Sequence, residues 1–137
     1  MDDGTDSTEF DLDHAGRVVL TLLAEVAGEG RHMRRTALGG EYGHLKLSLS
    51  PFHGDHEYRF EWNLRERTLP EFARTATLTG VKMALREELP GDRRVSGVRV
   101  AVVGGIYHDT DSSVRTFELA AGLAMRDALS RAKLTKG

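Results

Sequence analysis

Leu45, Leu47 and Leu49 alternate with Lys46, Ser48 and Ser50, a period of two that predicts a half-buried strand. The alternation returns at Tyr58, Phe60 and Trp62 against Arg59, Glu61 and Asn63. Pro51 and Gly54 mark a turn between them. Two antiparallel strands so close in sequence predict a meander. Upstream, Val18 to Ala27 is rich in β-branched and leucine residues and predicts another strand. "GEGRHMRRT" follows, either as its continuation past a bulge at Gly28 and Gly30 or as a second short strand. "ALGGEYG" is a glycine-rich turn.

The period then changes. From Pro70 to about Leu89, the apolar residues Leu78, Val81, Leu85 and Leu89 recur at helical spacing. Proline is tolerated at a helix start, Glu71 complements the positive end of the helix dipole, and Pro90-Gly91 ends the helix. "VSGVRVAVVGG" predicts a central strand, because its valines leave few polar positions. A last helix runs from about Ser113 to Lys133. Phe117, Ala120, Ala121, Ala124, Met125, Ala128 and Ala132 form one stripe, small enough to pack closely on a sheet, and Arg131, Lys133 and Lys136 suit its C-terminal end. The expected fold is α+β: a two-layer sandwich, a four-stranded sheet with two helices on one face.

A chain of 137 residues predicts one domain with a core of its own. There is no cysteine, which excludes disulfides and thiolate chemistry. No apolar run approaches the roughly 18 residues that cross a bilayer, and the acidic N-terminus is the reverse of a secretory signal. The expectation is a soluble, cytoplasmic protein without a membrane partner. The net charge of −2 hides an asymmetry. Asp2, Asp3, Asp6, Glu9, Asp11 and Asp13 precede any Lys or Arg; taking these six from 21 acids leaves 15 against 19 bases. Residues 1–16 are therefore expected to be an acidic disordered tail, and residues 17–137 the folded domain. The tail serves solubility or masks a basic surface on the body.

The chemistry-bearing residues gather in "GGIYHDTDSS", Gly104 to Ser113. Asp111, Ser112 or Ser113 stands where it can cap the last helix. Tyr107 continues the valine alternation and is expected to pack. His108 and Asp109 sit in a turn between a buried strand and a helix, where function concentrates. His108, Asp109 and Asp111 match no metal-ligand spacing, and "HGDHE" (His53, Asp55, His56, Glu57) reads as a polar hairpin. No G-x-S-x-G and no phosphate-binding loop motif occur, so neither a nucleophilic serine nor a bound nucleotide is predicted, and no cofactor is expected. Arg31, Arg34 and Arg35, with His32, form one basic cluster; Arg93, Arg94 and Arg99 form another. Each is a solvated face or a phosphate-contacting stripe.

Two stretches, "GGEYGHLKLSL" and "VRVAVVGGIYHDTDSSVRTFELAAGLAMRDAL", together resemble the fourth domain of translation elongation factor G. Gly40, Tyr42, Gly43 and His44 match a glycine-rich turn of that family. Gly105, Tyr107, His108, Asp109, Asp111, Ser112 and Ser113 match its strand-to-helix segment. "LPEFARTATLTGVKMAL" resembles its first helix, with Gly80 mid-helix, and the likeness covers about residues 18–132. The resemblance implies a fold like the second domain of ribosomal protein S5, with a left-handed βαβ crossover, an exception to a strong rule. It also implies a non-catalytic role at the decoding site of the small ribosomal subunit. Gly39, Gly40, Glu41, Tyr42, Gly43 and His44, with Arg31, Arg34, Arg35, Tyr107, His108 and Asp109, would then form the RNA-contacting tip. Glycines allow close backbone approach, and a histidine can stack or donate to phosphate.

The sequence departs from the family at that tip. Glu41 replaces a glutamine and is repelled by phosphate. Thr36-Ala37-Leu38-Gly39 stands where the family has Ser-Gly-Gly-Arg and loses those two glycines and the arginine, leaving Leu38 as an exposed apolar contact. The leading Met and acidic tail read as a natural start, so a stand-alone domain without a GTPase is expected. The partner is then the small subunit or its RNA. The alternative is a repurposed protein-binding module or homo-oligomer, using surface that neighbouring domains cover in the parent factor.

Overall fold

The leucine alternation forms the middle of a long strand, β4 (Gly39–Pro51), and Leu45, Leu47 and Leu49 are buried in one apolar core with Val81, Phe117 and Met125. In the computed structural model, which describes residues 6–64, 69–87 and 89–136, β4 pairs antiparallel with β3 (Val26–Thr36) on one side and β7 (Val98–Ile106) on the other. β7 pairs in parallel with β5 (Tyr58–Trp62), which pairs antiparallel with β1 (Asp6–Phe10). The sheet order is β1-β5-β7-β4-β3. Helix α1 (Glu71–Glu87) lies in the crossover from β5 to β7, and α2 (Val114–Arg131) follows β7. A smaller sheet, β6-β2-β8, is built from β6 (Arg93–Ser96), β2 (Val18–Leu22) and β8 (Leu134–Lys136).

The α+β class, the four-stranded core β5-β7-β4-β3, the central position of β7 and both helices agree with the sequence pattern. Four details differ. The predicted meander is absent: β7 lies between β4 and β5, because alternation fixes which face a residue takes but not which strand it pairs with. Val18 to Ala27 is not one strand. The chain bends after Leu22 and feeds β2 and β3 into different sheets. "VSGVRVAVVGG" is likewise divided, at Gly97, whose φ of 67° is a left-handed value that favours glycine. Finally, residues 6–10 of the expected disordered tail form β1. Phe10 stacks on Tyr58 with ring centroids 5.1 Å apart, and Asp6 and Glu9 pair with Arg74 and Arg59. One aromatic seat and matched charges give the acidic segment a partner that its composition does not reveal. Residues 1–5 of that tail lie outside the described residues.

Gly28 and Gly30 mark neither a bulge nor a turn. They sit within β3, and a Cβ on either would overlap the α2 backbone at Ala120 or Ala124. The small stripe of α2 therefore meets a glycine track on the sheet, and helix and strand approach closely. Among the described residues no helix is long and apolar enough to cross a membrane.

Candidate nucleic-acid interface

Two connections come together at one end of the sheet. The first is the β3–β4 hairpin, where Thr36 faces Gly39 and Ala37-Leu38 form the tip. Gly39 takes φ 138°, and the Thr36 hydroxyl donates to its carbonyl at 3.0 Å. The second is the turn after β7. The amides of Asp111 and Ser112 both donate to the His108 carbonyl, and the Ser112 hydroxyl accepts from the His108 amide at 3.0 Å.

The two connections are tied by one backbone hydrogen bond and one from a side-chain hydroxyl. The Tyr42 amide donates to the Asp111 carbonyl at 2.9 Å, and the Ser112 hydroxyl donates to the Tyr42 carbonyl at 2.8 Å. The Asp111 carboxylate lies where a side chain on Gly40 would project. A Cβ on Gly43 would overlap the Thr116 carbonyl, which seats β4 against the first turn of α2. Ser113 is the N-cap of that helix: its hydroxyl accepts from the Thr116 amide while the Thr116 hydroxyl accepts from the Ser113 amide, a capping box. Of the three candidate caps, Ser113 caps the helix, while Asp111 and Ser112 shape the turn.

This scaffold displays His108. Its ring lies flat on Tyr42, with centroids 4.1 Å apart and planes 10° from parallel, and the residue is exposed. Tyr42 itself is only 8% exposed and serves as the platform. His44 is also interior at 9% exposed. Its Nε2 pairs with the Glu29 carboxylate, and its Nδ1 lies 3.3 Å from the Tyr42 hydroxyl. Hydrogen bonding to His44 holds the Glu29 carboxyl below its ordinary value. Tyr107 packs edge-on against Phe72 at 6.3 Å, and Asp109 is exposed in the turn.

The three arginines of the hairpin are all exposed, but strand alternation divides them. Arg31 and Arg35 share a face with Met33, which stands opposite Tyr42; Arg34 shares the other face with His32 and Glu41. Glu41 is a compensated charge. Its carboxylate lies 2.8 Å from His32 Nε2 and 3.8 Å from Arg115 Nε, and it stands opposite Arg34. The hydrogen bond from His32, then Arg115 and Arg34, hold its carboxyl below the ordinary value. The alternation that puts Tyr42 beneath His108 turns Glu41 to the opposite face. Leu38 at the tip is 100% exposed and Met33 61%. The second basic group is dispersed: Arg93 and Arg94 lie on β6 in the small sheet, and Arg99 lies on β7 beside Glu61.

A family profile described as "Elongation factor G, domain IV" matches residues 20–133. The chain belongs to that family. It is 33% identical over 115 residues to elongation factor G of Petrotoga mobilis and 30% over 112 residues to that of Aquifex pyrophilus. Each alignment takes in 82% of this chain and only 16% of the relative. A crystal structure from Thermus thermophilus superposes with a TM-score of 0.77 and 29% identity, over 86% of this chain and 17% of the other. The fold is thus that of elongation factor G domain IV, consistent with the second-domain architecture of ribosomal protein S5. The matched region opens inside β2, so β1 lies outside it.

Sequence reasoning missed the platform role of Tyr42 and the groups around Glu41. His32 and Glu41 lie nine residues apart on two strands, and Arg115 comes from α2. Only the hairpin register brings His32 to Glu41, and a two-residue loop between alternating strands was the available signal.

Proposed function

We propose that this domain binds RNA of the small ribosomal subunit, in the cytoplasm, without catalysis, and that His108 and the arginine-bearing hairpin make the contact. The observation that carries the reading is the His108–Tyr42 stack beside exposed Arg31 and Arg35. One face of the imidazole is spent on Tyr42, which leaves the other for a base or ribose and the ring nitrogens for phosphate. The arginines supply bidentate phosphate donors. Compensation of Glu41 removes the repulsion its charge would otherwise cause.

Co-sedimentation with separated small subunits across a salt series tests the reading. Saturable binding should weaken steeply with salt, by about 0.7–0.9 in the log–log slope per phosphate contact. His108→Ala combined with Arg31→Gln and Arg35→Gln should abolish binding without changing the urea midpoint. Retained binding by that folded variant would remove this surface from the account.

A second reading, self-association, is favoured by a groove of about 520 Å³ between α1 and α2, where Met83, Leu119 and Leu123 are exposed around Gly80 and Gly122. A single monomeric species at high concentration in sedimentation velocity would dispose of it.

A further inference from the structure

β1 pairs along the edge of β5 and is tied down by side chains as well. It lies outside the region matched by the family, it is five residues long, and it covers the edge of β5, whose Tyr58 and Phe60 are fully buried. Its grip is a set of side-chain contacts on alternate faces. The Asp6 carboxylate and Thr8 hydroxyl accept from the Arg74 guanidinium at 2.9 and 2.8 Å. Glu9 pairs with Arg59 at 3.4 Å. Phe10 stacks on Tyr58, and the Lys82 ammonium lies 4.9 Å from the Phe10 ring centroid. Beyond the strand, Asp11 bonds His56 Nδ1 at 2.8 Å and accepts from the Glu57 amide at 2.7 Å. The Leu12 amide and His14 ring then reach the two oxygens of Glu57.

The segment is therefore a bound acidic peptide that happens to be covalently attached. Main-chain pairing to an edge supplies affinity, and pockets for alternate side chains supply specificity, as in strand-addition recognition. The grip is also a loose one. Asp6, Asp11 and His56 are about half exposed, and exposed ion pairs contribute little each. Phe10 is the one aromatic anchor, and it is only partly buried. Short strands held this way belong to the low-stability end of local opening. Once lifted, the segment leaves an unpaired β5 edge, a ready template for another strand.

We propose that the β5 edge is a docking seat for an extended acidic segment of a partner protein, and that residues 6–14 are its resident occupant. The charges define the guest. It carries carboxylates where Asp6, Glu9 and Asp11 meet Arg74, Arg59 and His56, and an aromatic residue between the last two acids to stack on Tyr58. The seat runs along the sheet edge opposite β3, so it is independent of the His108 surface.

A fluorescent peptide of residues 6–14 is the probe, and the full chain is the host. Against the parent chain the probe must compete with the attached copy, whose effective concentration is in the millimolar range, so binding should be weak. Asp6→Asn with Phe10→Ala in the host loosens the resident, and the probe should then bind about tenfold tighter or more. A scrambled probe of the same charge should not. Arg74→Asp in the loosened host should abolish binding of the probe and admit a probe carrying Asp6→Arg, which separates loss of the seat from loss of the fold. Equal binding of native and scrambled probes would reduce the seat to bulk charge and overturn the proposal. So would no binding to the loosened host, or displacement of the probe by single-stranded polyuridylate as readily as by unlabelled probe. The assay is run alongside small-subunit binding in the His108→Ala chain, so either reading can fail alone.

Discussion

Gly80 and Gly122 both sit in helix interiors, and helix propensity alone gives Ala the advantage at each by roughly 0.8–1 kcal/mol. The structure separates them. A Cβ on Gly80 would stand 2.6 Å from the Glu118 carbonyl oxygen and 2.8 Å from the Ala121 Cβ, both on α2, whereas a Cβ on Gly122 would meet nothing within 4 Å. Two carbon atoms rest about 3.5–4.0 Å apart, so α1 would have to withdraw from α2 by about 1 Å to admit the methyl group of Gly80→Ala. Neither obstacle is a flexible chain end, since one is helix backbone and the other a buried Cβ. Overpacking of this kind costs about 1–3 kcal/mol, whose middle exceeds the propensity gain. Gly80→Ala should therefore lower stability by roughly 1 kcal/mol net, the middle of the difference between the two ranges. Gly122→Ala should raise it by about 0.5–1 kcal/mol.

Urea unfolding followed by far-UV circular dichroism reads both changes as shifts in midpoint at constant slope. Thermal melts should move in opposite directions, by roughly 3–6 °C per kcal/mol for a chain of this size. The reasoning fails if Gly80→Ala is as stable as the parent or more so. That result would mean the α1–α2 contact relaxes freely and propensity decides both sites.

Ser113→Ala should cost about 1 kcal/mol, seen in the urea midpoint, because it deletes the N-cap acceptor of α2; Ser113→Thr should recover most of it. Glu41→Gln should change small-subunit affinity by less than about threefold, because the carboxylate is already compensated and faces away from His108; a larger gain would show that Glu41 repels the RNA. The Asp11–His56 contact should fasten residues 6–14 most firmly between the ordinary carboxylate and ordinary histidine ranges. The hydrogen bond to His56 lowers the Asp11 carboxyl, so its contribution is present above the usual carboxylate value and is lost as pH falls through the lowered one. The same bond raises His56, whose contribution is complete below the usual histidine value and is lost as pH rises through the raised one. An NMR titration should move His56 down towards its ordinary value in Asp11→Asn; an unmoved titration would mean the pair does not form.

What the chain pattern made legible was each residue's face, and what it hid was partnership. The Leu45–Leu47–Leu49 alternation and the helical stripe ending at Ala128 place the core with no further information. Pairing is another matter, because a strand can meet either neighbour with the same face inward. β5 follows β4 in sequence yet pairs with β7, since α1 carries the chain across and returns it between them. Gly28 and Gly30 show a related limit. Glycine in a strand signals equally a bulge, a turn or a close approach, and only the position of α2 decides among them. At the site, the segment ending in Ser113 was legible as a turn and cap from its residue types. The interior position of His44 was not legible, because a polar ring on β4 can be an exposed contact or an interior partner of Glu29, and Glu29 lies on a neighbouring strand whose register depends on the hairpin.

The same distinction orders the surface. Tyr42, Gly43 and His44 fall in the segment expected as a glycine-rich turn, yet they lie on β4, the turn being confined to Ala37 and Leu38, and all three are buried. They position rather than touch: Tyr42 carries His108, Gly43 admits α2, and His44 ties β4 to Glu29. What remains outward is His108, Asp109, Met33, Leu38 and the three arginines. The supports and the outward His108 and Asp109 all belong to segments that resemble the family motif, whereas Leu38 stands in the hairpin segment that departs from it. A departure at Leu38 leaves the display of His108 intact, because the stack on Tyr42 and the Ser112 bridge do not involve Leu38. In the proposed RNA contact, by contrast, selectivity would rest on the outward residues. Replacing Leu38 with Arg should then change which RNA is preferred, while replacing Tyr42 with Ala should cost binding to every RNA alike.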